Sequence, residues 1–190
     1  MPANGRASAD ELATLLRGRR SIDLFEPKPV AASILLEAID VARWAPNHRL
    51  TEPWRFYLLG PATRDALIDL AVEFETAAKG ERVGAARRER LAAVPGFFVL
   101  TSRRSDEALL DREDYAACCC AAQNLILYLW QRGIGTKWTT GGITRQARFY
   151  ELLGIDAAKE QVVGFFWYGV LKVIPTQTRR ALSEVVTERP

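Results

Sequence analysis

AAQNLILYLWQRGIGTKWTTGG, Ala121–Gly142, is the stretch on which the fold turns. Its first half continues upstream as a largely apolar run, which predicts the longest helix of the chain, from about Leu109 to Gln131, stopped by Gly133. Alanine, cysteine, leucine and isoleucine dominate that helix, and small side chains let a second helix come close. The second half, Lys137-Trp138-Thr139-Thr140-Gly141-Gly142, has the composition of a turn-rich connection. Its hydroxyls and backbone amides offer a cradle for an anion or a carbonyl, and a plain turn accounts for them equally well.

Downstream, a short helix is expected from Thr144 to Leu153, ended by Gly154. The strand Gln161 to Val170 (QVVGFFWYGV) follows, and then a tail beyond Pro175 that carries Arg179 and Arg180. Upstream, Phe97 to Thr101 is apolar on both faces and reads as an interior strand. The charged run Glu81 to Ala93 is helical or mobile, and Pro61 to Lys79 is a polar, alanine-rich helix. A strand from Arg55 to Leu59 is entered through the loop RWAPNHRLTEPWRF (Arg43–Phe56). Before that loop, Ile34, Leu35, Ala38, Ile39 and Ala42 recur at helical spacing up to Pro46. A first helix, capped by Ser8 or Asp10, carries Leu12, Leu15 and Leu16 on one face and stops at Gly18. Helices and strands alternate loosely, so one α/β or α+β domain over residues 1–190 is expected.

Composition removes several function classes. A net charge of +3 gives no nucleic-acid footprint. The single histidine, His48, excludes zinc sites built on several histidines, and the chain has no C-x-x-C pair. It has no G-x-S-x-G elbow, no G-x-G-x-x-G turn and no Walker loop, so hydrolase and P-loop chemistry fall away. Cys118, Cys119 and Cys120 are consecutive; on a helix they point about 100° apart, so they cannot converge on a metal. They form no disulfide framework either, which points to a reducing cytoplasm. The start of the chain lacks a continuous apolar stretch, so no secretory leader is expected. The most apolar run is broken by Gln123 and Asn124, so no membrane span is expected.

Three clusters carry chemistry, each with a plainer explanation beside it. Arg19-Arg20-Ser21 offers two guanidiniums and a hydroxyl to a phosphate, or is a solvated basic helix end. Arg179-Arg180 closes on the same anion, or is surface charge. In the loop, Pro46 and Pro53 stiffen the backbone, Trp44 and Trp54 offer aromatic faces, and Asn47 and His48 offer donors. That mixture suits a planar ligand with polar edges, or the tryptophans plug the core while His48 faces water.

Taken together and in order, RRSIDLFEPKPV, AIDVARWAPNHRLTEPWRF, AAQNLILYLWQRGIGTKWTTGG, QVVGFFWYGV and TQTRRALSEVV resemble the nitroreductase family, closest to its short bacterial branch of NAD(P)H nitroreductases. The resemblance implies an α+β, nitroreductase-like fold with a mixed or antiparallel central sheet flanked by helices. It further implies an intertwined homodimer binding FMN at the subunit interface, with NAD(P)H as co-substrate. The FMN contacts it implies are Arg19, Arg20, Ser21, Trp138, Thr139, Thr140 and Arg180, with Trp44, Pro46, Asn47 and His48 lent by the other subunit. The segment Tyr128, Leu129, Trp130, Gln131, Arg132 and Gly133 is implied for the nicotinamide nucleotide. Flavin carries the chemistry, so no acid/base pair or metal is needed. The implied reaction passes hydride from NAD(P)H through FMN to a nitroaromatic, quinone or similar small electrophile in a ping-pong cycle. The alternatives are a flavin carrier with little turnover and a related enzyme with another flavin task. Three positions depart from the family pattern: Glu52 before Pro53-Trp54, Asp23 where a basic residue is common, and Trp44.

Overall fold

The computed structural model describes residues 8–189, so the expectation for the leading residues lies outside it. Ser8 caps the first helix, α1 (Ala9–Gly18), in a reciprocal pair: its hydroxyl accepts the Glu11 N–H and the Glu11 carboxylate accepts the Ser8 N–H. The expected leucine face is present, yet α1 buries nothing, and Leu12 and Leu16 stay exposed. Helix α2 (Ala32–Ala42) buries Leu35, Ala38 and Ala42 against the small residues of the long helix, as their spacing required. The rest of the chain runs β1 (Trp54–Leu58), α3 (Pro61–Lys79), α4 (Glu81–Ala92), β2 (Gly96–Arg103), α5 (Ala108–Gln131), β3 (Ile134–Thr139), α6 (Ala147–Leu153) and β4 (Glu160–Val170). The charged run read as helical or mobile is therefore a helix.

The strands form one antiparallel sheet in the order β1-β2-β4-β3. Its one parallel feature is an isolated bridge from Ser21 to Thr136, which lays the segment after α1 along the free edge of β3. The α+β expectation holds, and the sheet is antiparallel rather than mixed. One element departs from the sequence reading: Lys137 to Thr139, expected in a turn-rich connection, belongs to an edge strand. Pairing with β4, from Ile134 opposite Val170 to Thr139 opposite Phe165, overrides the turn-like composition of the Thr-Gly run. A turn does follow, as a short 3-10 segment over Gly142–Arg145.

Alternation along the strands puts one apolar cluster on each face. Phe97 and Val99 of β2, with Phe165 and Trp167 of β4, meet α3, α6 and the end of α4. Phe98, Leu100 and Phe166 meet α2 and α5, and the Phe98 and Phe166 rings stack at 4.6 Å. A bulge between Leu100 and Thr101 leaves Val163 over and turns it onto the α2/α5 face. At the end of α5, Gly133 takes φ 74°, the left-handed turn that lets the chain reverse straight into β3. Among the described residues no helix is long and apolar enough to cross a membrane.

Candidate functional site

The end of α1 and the segment behind it build a hollow of about 490 Å³, lined by Leu16, Arg17, Arg19, Arg20, Gln123, Gln177 and Arg179. Four guanidiniums and two amides line it, with no carboxylate among them. Burial, and then the charges of Arg179 and Arg20, lower the Arg19 pKa. Arg20 Nη1 donates to the carbonyls of Arg17 and Arg19, which fixes the guanidinium, while Arg20 Nε is buried with no partner. Crowded like charges and an orphaned buried donor suit a multiply charged anion. The arginine run was legible in the sequence; Arg17, Gln123 and Gln177 were not. The tail guanidinium in the hollow is that of Arg179, whereas Arg180, the residue expected there, is exposed and not part of the lining. In extended backbone, successive side chains point opposite ways, so one of the two is turned out.

Ser21 stands exposed at the head of the segment that follows, and Ile22 N–H donates to the Thr136 carbonyl at 2.9 Å. This places Ser21 beside β3, whose end carries Trp138 and Thr139. The Trp138 indole donates to the Val163 carbonyl at 3.0 Å and lies 5.2 Å from the Phe166 ring. Thr139 Oγ1 donates to the Phe165 carbonyl at 2.8 Å. Both side chains are thus committed to the sheet. What they leave toward a ligand is backbone, along with exposed Thr140. Trp138 fits because position 164 is glycine: a Cβ there would stand 2.2 Å from the indole nitrogen.

A second basic group lies on the opposite side of β3. Trp167 is 1% exposed and is surrounded by Arg87 at 5.4 Å, Arg90 at 5.2 Å and Lys137 at 5.1 Å from its ring. Asp23 accepts from Arg90 at 2.7 Å and from Lys137. Burial pushes the Asp23 carboxyl up, but these hydrogen bonds outweigh it and hold it below the usual carboxylate range. The departure at Asp23 is therefore answered by cations from α4 and β3. Arg87 Nε and Trp167 Nε1 are buried without partners. Sequence reading missed this cluster because Glu81 to Ala93 showed only a charged run, helical or mobile, with nothing to aim it at Trp167.

The loop after α2 lies elsewhere: none of Trp44, Pro46, Asn47 and His48 lines the arginine hollow. Trp44 is 79% exposed and Leu50 83%, and His48 is also exposed. Arg49, Leu50 and Glu52 hold positive φ of 61°, 50° and 45°. Left-handed backbone costs a non-glycine residue about 1 kcal/mol or more at each position, so something must hold the loop. Asn47 accepts the Glu52 N–H at 2.7 Å, and Thr51 donates to Asp114 of α5.

The segment expected to meet the nicotinamide nucleotide does not assemble as one site. Leu129 is completely buried in the α2/α5 cluster and has no surface to offer, which corrects its inclusion. Tyr128 and Arg132 are engaged by Glu37 at 2.9 and 2.7 Å. Gly133 makes the turn. Trp130 and Gln131 line a groove against α1 together with Asp10 and Glu11, and those carboxylates repel the phosphates of a dinucleotide. Cys118 is buried, with its thiol pushed up to about 12 mainly by burial, so it is inert.

Fold and site together define an α+β protein with an antiparallel sheet and an arginine-lined hollow at the end of α1. The sequence model of the Nitroreductase family matches residues 16–170. A Bacillus subtilis (strain 168) protein named "Putative NAD(P)H nitroreductase YfhC" is 32% identical over 149 residues, which cover 76% of this chain and 77% of that one. A nitroreductase-like family protein from Bacillus cereus has a TM-score of 0.84 at 29% identity, over 97% of this chain and 99% of its own. The FMN-dependent nitroreductase NfnB from Mycobacterium smegmatis, solved in complex with NADPH, shares the fold with a TM-score of 0.76 at 19% identity, over 96% of this chain and 99% of its own. The chain belongs to the nitroreductase family, a class of oxidoreductases.

Proposed function

We propose that this chain is an FMN-dependent NAD(P)H oxidoreductase that reduces a nitroaromatic, quinone or similar small electrophile by a ping-pong mechanism. The observation that carries the reading is the arginine hollow: four guanidiniums, no carboxylate, and a buried Arg20 Nε with no partner. This donor set fits the dianionic phosphate of FMN. When bound, FMN supplies the redox chemistry, accepting hydride from NAD(P)H and passing it to the second substrate. YfhC is named for NAD(P)H, and NfnB is described as FMN-dependent and in complex with NADPH, which supports the choice of cofactor and co-substrate.

Arg19, Arg20 and Arg179, with Gln123 and Gln177, hold the phosphate. Ser21 and the backbone of Trp138, Thr139 and Thr140 meet the ribityl chain and ring. Asp23 lies two residues beyond Ser21, and Lys137 immediately precedes Trp138. Arg87 Nε, buried without a partner, would with Arg90 and Lys137 offer nitrogen donors to the acceptor edge of the ring. Hydride donor and acceptor use the open face of the same pocket in turn, so no separate groove at Tyr128–Gly133 is required.

The remaining wall comes from a second copy of the chain. Leu12 and Leu16 of α1, Leu36 of α2, Trp44, Leu50 and Leu182 are large apolar residues left in the open. A homodimer buries such surface and brings Trp44, Pro46, Asn47 and His48 to the partner's hollow. Residues 1–190 act as one flavin-binding domain, and the three free thiols suit the cytoplasm.

Purified protein is expected to be yellow, or to become so with added FMN, and to bleach anaerobically with NADH or NADPH. A protein that takes up no FMN, or whose bound flavin neither nucleotide bleaches, overturns the reading.

A further inference from the structure

Asp114 of α5 is a fully buried carboxylate, and among the described residues no cation pairs with it. Its Oδ1 accepts from Thr51 Oγ1, across 63 positions of sequence, and its Oδ2 has no partner. Nearby Cys118 does not serve it, because that thiol donates to the Thr101 carbonyl. A buried carboxyl group met by a single hydroxyl, with one oxygen unpartnered, costs stability. Its presence is accounted for by what it orients.

The proton assignments run in one direction. Asn47 Oδ1 is already taken by the Glu52 N–H, so the single Thr51 hydroxyl proton points at Asp114. Thr51 oxygen must then accept from Asn47 Nδ2, at 3.0 Å, rather than donate to Asn47 Oδ1. That orients the Asn47 amide and leaves its Oδ1 to accept the Glu52 N–H at 2.7 Å. The relay ends on the residue before His48 and clasps the loop across its three left-handed residues. We infer that Asp114 is a positioning residue which, through Thr51 and Asn47, sets the direction in which His48 is presented to the cofactor. The inference rests on the reading of this loop as a flavin wall.

His48 is the only histidine, so in tag-free protein its imidazole ring gives a proton NMR signal that needs no assignment. Wild type, Thr51→Val, Thr51→Ser and Asp114→Asn are compared for that signal and for FMN affinity by fluorescence quenching. Thr51→Val keeps the side-chain shape and is the test variant should Asp114→Asn fold poorly. It is expected to move the His48 signal and to raise the FMN Kd about 3- to 10-fold, the ordinary worth of one hydrogen bond. Thr51→Ser is expected to restore both. In a His48→Ala background, Thr51→Val is expected to add less than about twofold, since residues acting through one another are not additive. An unmoved His48 signal in Thr51→Val overturns the inference. So does a full additional loss of affinity on top of His48→Ala, or a lowered Tm with signal and Kd unchanged. Wild-type protein that takes up no FMN sinks the proposed function instead, while the His48 signal still reports whether the relay holds the loop.

Discussion

At one end of the Arg19–Asp23 segment, four guanidiniums line a hollow that contains no carboxylate. At the other end, Arg87, Arg90 and Lys137 gather on Trp167, and Arg90 and Lys137 share Asp23. The difference lies in where the counter-charge comes from. The first group has no carboxylate in its lining, so a bound anion would convert its mutual repulsion into affinity and into stability of the loaded protein. The second group is partly neutralised within the chain. It stays net positive, but two of its three cations are held by Asp23, which suits a neutral, electron-rich edge better than a phosphate.

Each half of that contrast can be broken separately. The largest effect is expected from Arg20→Ala, which removes a charge-assisted contact: the FMN Kd should rise roughly 10- to 100-fold while riboflavin binding changes little. Paired titrations with the two flavins check this, and an unchanged FMN-to-riboflavin ratio would remove the phosphate role from the hollow. A smaller loss, about 3- to 10-fold, is expected for Arg87→Gln, and here both flavins should weaken alike. If FMN alone weakened, the two clusters would be serving the same phosphate and the contrast would collapse.

The smallest effect is expected from Asp23→Asn. Asp23 is half exposed, so its ion pairs contribute under about 1 kcal/mol. In a chain of 190 residues that corresponds to a Tm lower by about 1–4 °C at pH 7. Because the folded-state pKa of Asp23 lies below its ordinary 3.8, this stability is present above that value and disappears as pH falls through the folded pKa. Melting curves of wild type and Asp23→Asn should therefore converge in acid. Curves that stay apart at low pH would show that the carboxylate's charge is not what the cations use.

Most helices could be read from the chain because their signals are local. Ser8 with Glu11 marks a cap, Pro61 opens α3, and Gly133 closes α5. Strand β3 was hidden because its sequence carries turn-forming residues and its order comes from β4, paired far along the chain. The arginine run was visible for the same reason as the caps, being contiguous. The choice of Arg179 over Arg180 depends on how an extended tail happens to lie. The Trp167 cluster draws on α4, β3, β4 and the segment after α1, and the Asp114 relay spans 63 positions. Neither has any sequence periodicity to betray it.

Trp138 and Gly164 have a consequence beyond the geometry of the sheet. The indole nitrogen stands 2.2 Å and Phe166 Cε2 2.7 Å from where a Cβ at 164 would be, so three positions are sterically coupled. Trading Trp138 for a smaller residue removes one clash but leaves Phe166 Cε2 2.7 Å from a Cβ at 164, so that ring must shift as well. A side chain placed at 164 alone meets both rings at once. Substitution at this corner of the sheet is therefore coupled across three positions, and a change at 164 waits on both aromatic neighbours.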